Sequence, residues 1–102
     1  MKLLTKAIEK KLPEPLSTDG QGDAAIAQVK FFCPWNQWTW YATEYDPQDR
    51  IFFGLVVGFE TELGSFSLDE LESVRGMFGL GIERDSSFTA KTLTECRRNH
   101  AT

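Results

Sequence analysis

Apolar residues recur along the chain in two rhythms, and the change from one to the other marks out its elements. Leu3, Leu4, Ala7, Ile8 and Leu12 fall on one side of a helical wheel, with Lys2, Lys6, Glu9, Lys10 and Lys11 around the other. That spacing predicts an amphipathic helix over 2–12, ended by Pro13 and Pro15. Residues 17–23 are a polar, glycine-punctuated loop. Ile26 to Cys33 and Trp38 to Tyr45 then read as two strands of a hairpin turning around Pro34-Trp35-Asn36. Strict alternation puts Trp38, Trp40, Ala42 and Glu44 on one face of the second strand and Thr39, Tyr41, Thr43 and Tyr45 on the other, so neither face is simply polar.

After the turn Asp46-Pro47-Gln48-Asp49, the near-continuous apolar run from Arg50 to Phe59 predicts a central strand, with Gly54 and Gly58 at bulges or close approaches. Glu60 to Gly64 reads as the next turn and Ser65-Phe66 as a short strand running into a helix. Ser67 and Glu70 have capping-box spacing, Leu68, Leu71 and Val74 supply a buried face, and Gly76 is the expected stop. Gly79, Gly81 and Ile82 to Asp85 predict a loop or a last edge strand. Thr92 and Glu95 repeat the capping-box spacing before Arg97-Arg98, where a frayed helix or weakly ordered tail is expected from about residue 96. The order predicts an α+β domain: an antiparallel sheet of three to five strands with an N-terminal helix and a helix after the last central strand. A small Greek-key barrel is the alternative.

At 102 residues, 41% of them hydrophobic and 25% charged, the chain reads as one globular domain, 1–102. No apolar run approaches the ~20 residues that span a bilayer. Lys6, Glu9, Lys10 and Lys11 interrupt any secretory apolar stretch, so a cytoplasmic location is expected, with no membrane partner. Cys33 and Cys96 show neither CxxC nor Cys/His spacing and read as free thiols. The 17–23 loop lacks the lysine of a phosphate-binding loop and the GxGxxG spacing. No metal or other cofactor is expected, and the protein reads as a monomer.

Charge sharpens the picture. Between Glu44 and Glu72 eight carboxylates face the single base Arg50, a local charge of −7 on a chain whose net charge is −4. Such a field repels nucleic acid and favours a basic protein groove, which makes Glu44, Asp46, Asp49, Glu60, Glu62 and Glu70 the candidate partner-binding residues. The plain reading beside it is a solvated face that keeps a small domain soluble.

Candidate chemistry is sparse. The lone histidine, His100, and its neighbour four residues back, Cys96, fall in the expected tail, where a catalytic pair has poor support. Glu44, Glu60 and Glu62 are the best set for a Mg²⁺-dependent hydrolase or nuclease if adjacent strands bring them together, although glutamates beside turn glycines are ordinarily solvated. Trp35, Trp38, Trp40, Tyr41, Tyr45, Phe31 and Phe32 crowd two strands as a base-stacking platform would. Lys30 is the only base between Lys11 and Arg50, so core packing is the default and direct nucleic acid binding is not expected. Trp35, beside a proline in a turn, is the candidate exposed anchor of a protein interface.

The string Trp38 to Asp46, followed by Phe52 to Leu71, with Met1 to Thr5 and Leu80 to Asp85, resembles a family of small bacterial proteins of unknown function carried on conjugative plasmids, integrative elements and phages. One member has been described as a type II anti-CRISPR protein, an inhibitor of Cas9. The resemblance brings no catalytic residues. It implies a non-catalytic inhibitor whose partner is Cas9 or its guide-RNA complex, and an acidic surface offers a mechanism, partial mimicry of DNA in a basic channel. A variant uses Lys2, Lys6, Lys10, Lys11, Arg97 and Arg98 on the guide RNA instead. The alternatives are the carboxylate-based hydrolase and an accessory module of a mobile element unconnected with Cas9.

Overall fold

Among residues 2–100, which the computed structural model describes, seven strands form: β1 (Ile26–Ala27), β2 (Val29–Phe32), β3 (Thr39–Asp46), β4 (Ile51–Val57), β5 (Thr61–Ser67), β6 (Glu83–Arg84) and β7 (Lys91–Thr92). Five of them make one antiparallel sheet in the order β5-β4-β3-β2-β6, and β1 pairs with β7 in a separate ribbon. Three helices, α1 (Lys6–Lys11), α2 (Leu68–Ser73) and α3 (Leu93–Arg98), complete an α+β fold. The sheet is open between β5 and β6, so the barrel alternative does not form.

The boundaries differ from the sequence reading for local reasons. Only Lys6 to Lys11 is helical, with Thr5 as the cap that accepts from Ile8 N–H, while Leu3, Leu4 and Leu12 flank the helix and are buried. The 26–33 strand divides at Gln28, where the chain leaves the ribbon and joins the sheet. Strand β5 begins at Thr61 because the turn is Gly58-Phe59-Glu60, closed by Gly58 N–H donating to Glu60 C=O at 2.9 Å. At both helix starts the hydroxyl half of the capping box forms: Ser67 Oγ accepts from Glu70 N–H and Thr92 Oγ1 from Glu95 N–H, each at 3.2 Å. Helix α2 ends at Ser73, before Gly76. Of the frayed helix and the loose tail expected here, the helix forms: α3 packs with Leu93 and Cys96 buried. Ala101 and Thr102, the end of that expected tail, lie outside the described residues.

A β-bulge at Thr43 decides what each face of the sheet carries. Ala42 pairs with Gly54 and Glu44 with Phe53, so Thr43 is an extra residue on β3. Past it the alternation inverts. Tyr45 joins Ala42 on the face covered by α1 and α2, and Glu44 joins Tyr41 on the opposite face. Glycine is required opposite the bulge, because a Cβ at Gly54 would stand 1.8 Å from the Tyr41 carbonyl oxygen.

Each face buries its own core. Under α1 and α2, Phe52 packs against Phe31, Tyr45 and Phe66 with ring centroids 4.7–5.2 Å apart, joined by Leu68 and Leu71. On the other side Tyr41, Leu55 and Val57 pack under Leu93 and Cys96 of α3 and Ala25 and Ala27 beside the ribbon. His100 closes this second layer: its Nε2 lies 2.6 Å from the Tyr41 hydroxyl. Burial, reinforced by Cys96 and Asp85, pushes the Tyr41 phenol up to about 12, and burial, then Lys30, lowers His100 below the ordinary histidine value.

Two outcomes follow from this packing. Gly54→Ala should lower the unfolding free energy by about 3 kcal/mol in urea, because two backbones must part; a loss below about 1 kcal/mol would show that β3 and β4 separate freely. A histidine with a lowered folded-state pKa contributes stability above its unfolded value and loses it as the pH falls through the folded one. Melting temperature should therefore decline as the pH drops below about 6.5, and His100→Phe should flatten that part of the profile; an unchanged slope in the variant removes His100 as the cause.

A candidate protein-docking face

The bulge turns a carboxylate inward, and that carboxylate organises the loop above it. Glu44 is 5% exposed. Its Oε1 accepts the Leu16 N–H at 2.7 Å, and its Oε2 accepts the Thr18 N–H at 2.9 Å and the Thr18 hydroxyl. An isolated buried carboxylate is costly, but one with three donors in place ties the loop to the sheet. Pro13 C=O, accepting from Tyr45 N–H at 3.1 Å, adds a main-chain tie. Thus pinned, the loop holds Leu16 in the left-handed region at φ 68, uncommon for a branched residue, with the side chain 78% exposed.

Leu16 does not stand alone. Phe53 and Leu63, which share its face of the sheet, are exposed too. Between them lie two adjoining hollows, one of about 220 Å³ bounded by Leu16, Phe53, Asp46 and Asp49, the other of about 320 Å³ bounded by Thr18, Asp19, Phe53 and Leu63. The result is an apolar patch with an acidic rim. Aromatic side chains also crown the end of the sheet where the β4–β5 turn lies: Phe59 is 96% exposed and meets Trp38 edge-on at 5.5 Å.

The expected acidic surface is divided. Glu44 leaves it altogether, because the bulge buries the side chain that simple alternation set beside Trp40. Asp46 and Asp49 occupy the β3–β4 turn, where Asp46 Oδ1 accepts from Gln48 N–H at 3.0 Å. Glu70 stands exposed in the first turn of α2, near that same end. Arg50 neutralises Asp69 and Glu72 there, with contacts of 2.7 Å to each. Glu60 and Glu62 lie at the other end of β4, about 20 Å away at the ordinary strand rise. Glu62 and Glu44 are moreover on opposite faces, so the carboxylate set that a hydrolase needs is not assembled. The bases are divided as well: Lys6, Lys10 and Lys11 ride on α1 over one face, and Arg97 and Arg98 on α3 over the other.

Trp35 is 40% exposed, and one side of its ring lies on Gly76, where a Cβ would come within 2.7 Å of it. Sequence reasoning missed Leu16, Phe53, Leu63 and Phe59. A signal existed for two of them, since Leu16 follows two prolines and Phe59 follows Gly58, and an apolar residue inside a turn sequence has no core to enter.

The fold defines an α+β protein with an exposed apolar patch, Leu16, Phe53 and Leu63, on one face of the sheet. A family model for proteins of unknown function, DUF2958, matches residues 3–98, and the chain belongs to that family. No curated protein and no solved structure matches it. Among the described residues no helix is long and apolar enough to cross a membrane.

Glu44→Gln tests the anchoring role. The amide puts a donor where an oxygen now accepts, and should cost about 1–3 kcal/mol of stability while speeding amide exchange at Leu16 and Thr18 ahead of the sheet. Equal stability with unchanged protection at those amides would mean that the loop is held by something else.

Proposed function

We propose that the chain is a non-catalytic binding protein that docks the Leu16–Phe53–Leu63 patch and its acidic rim, Asp46 and Asp49 with Glu70, Glu60 and Glu62 beyond, onto a basic surface of a partner protein. The observation that carries this reading is Leu16. A large apolar side chain held outward in a strained backbone conformation by a buried carboxylate contributes nothing to the core, and such strain persists where the surface is used. None of Asp46, Asp49, Glu60, Glu62 and Glu70 has an ion pair among the described residues, so their field is available to a cationic partner.

The resemblance to mobile-element proteins supplies the particular partner: a type II Cas9 or its guide-RNA complex, whose nucleic-acid channels are positively charged. In this reading the protein occupies such a channel by charge and shape, in the bacterial cytoplasm, and bonds are neither made nor broken. Trp35 is a secondary anchor. Two features weigh against the hydrolase alternative, the burial of Glu44 and the separation of Glu60 and Glu62 from it. The divided bases likewise weigh against guide-RNA contact through α1 and α3 together.

The test is cleavage of target DNA by purified Cas9 and guide, with the protein added before or after each component. The unaltered protein should inhibit. Asp46→Lys with Asp49→Lys should weaken inhibition about tenfold or more, and Leu16→Gly should do the same while keeping or raising the melting temperature, since glycine relieves the left-handed strain. Full inhibition by these folded variants would remove the docking face from the mechanism. No inhibition by the unaltered protein would remove Cas9 as the partner.

A further inference from the structure

We infer that the outer edge of β5 is a strand-docking site whose occupant is an extended segment of a partner protein, alternating basic and apolar residues. The inference deepens the docking reading above and rests on it. Strand β5 lies at the edge of the sheet, seven residues long, with β4 as its one neighbour. At the two ends of that ladder Gly58 N–H donates to Glu60 C=O at 2.9 Å and Leu68 N–H to Arg50 C=O at 3.0 Å. Bonded pairs in an antiparallel ladder recur every second residue, so both ends fix the same phase. Glu62, Gly64 and Phe66 bond to β4, and the N–H and C=O groups of Thr61, Leu63 and Ser65 face outward, all three residues being exposed.

Proteins usually blunt such an edge with lysine, proline, a bulge or a very short strand. Strand β5 has no lysine, proline or bulge, and Glu62 is its one charged side chain: its sequence is Thr-Glu-Leu-Gly-Ser-Phe-Ser, and its register with β4 is unbroken from Thr61 to Ser67. The opposite edge, β6, has two residues and offers no comparable template.

Side chains and charge identify the occupant. On one face an added strand would run beside Leu63 and Phe53, on the other beside Glu62, so its alternate side chains meet an apolar shelf and a carboxylate. Glu60 and Glu62 lie at one end of β5 and Glu70 just past the other, while Asp69 and Glu72 there are engaged by Arg50. A second copy of this chain would bring the same carboxylates against themselves, with a net charge of −4 on each. A basic, extended segment has the complementary charge.

The probe is a capped heptapeptide, Lys-Val-Lys-Val-Lys-Val-Lys, with binding read by fluorescence anisotropy. It should bind the unaltered protein. N-methylation at alternate peptide nitrogens, which keeps the charge and removes the outward main-chain donors, should weaken binding about tenfold or more. Ser65→Pro should do the same with the fold intact, because proline on an edge strand is tolerated where its nitrogen faces solvent. Equal binding of the methylated and unmethylated peptides overturns the edge as the site, whatever becomes of Ser65→Pro, and leaves the acidic rim as a mere charge trap. No binding of the peptide also overturns it, while the DNA-cleavage assay separately decides the wider docking face. Main-chain-dependent binding without Cas9 inhibition upholds the edge and removes only the Cas9 assignment.

Discussion

One extra residue on β3 governs the rest of the molecule. The bulge at Thr43 lets Tyr41 and Tyr45, four residues apart in a strand, enter different cores, and it sends Glu44 to the face where a carboxylate has no business unless donors meet it. Donors do meet it. Two amides and a hydroxyl from the Leu16–Thr18 loop converge on its two oxygens, so burial of the carboxylate and folding of the loop are one event. Gly54 is the other half of the same constraint, because the bulged strand presses its Tyr41 carbonyl onto a position that only hydrogen can occupy.

That constraint separates stability from contact. The sheet is sandwiched, with an aromatic stack centred on Phe52 under α1 and α2 and a second layer under α3 that the Tyr41–His100 hydrogen bond fastens. On the α3 side the second layer stops short of Phe53 and Leu63. There Phe53 and Leu63 stay uncovered, Leu16 is held beside them, and the edge of β5 has no neighbour. A small domain cannot cover every sheet surface with three short helices, and here the uncovered surface is apolar with an acidic rim.

Element identity was largely legible in the chain, boundaries less so. Capping boxes at Ser67 and Thr92 located two helix starts to the residue, since that signal is local and chemical. The Glu60–Gly64 turn was misplaced because glycine and glutamate are depleted from strands in isolation, whereas pairing with β4 makes Thr61 to Gly64 strand. The C-terminal segment read as a frayed helix or a tail because Thr94, Glu95, Arg97 and Arg98 are polar; Leu93 and Cys96, one helical turn apart, are the buried residues that pack the helix.

Sequence by itself determined the α+β class, the hairpin order, the helix caps and the concentration of carboxylates between residues 44 and 72, because periodicity, turn chemistry and formal charge are properties of neighbours along the chain. Tertiary structure alone decided which of those carboxylates meet solvent, which face each β3 residue joins after Thr43, and which apolar residues remain outside. The physical reason is that a bulge inverts the two-residue alternation without leaving a mark in composition, and that burial depends on what a distant loop places overhead. Glu44 and Leu16 are 28 residues apart in the chain and 2.7 Å apart in the fold, and no pattern along the sequence couples them.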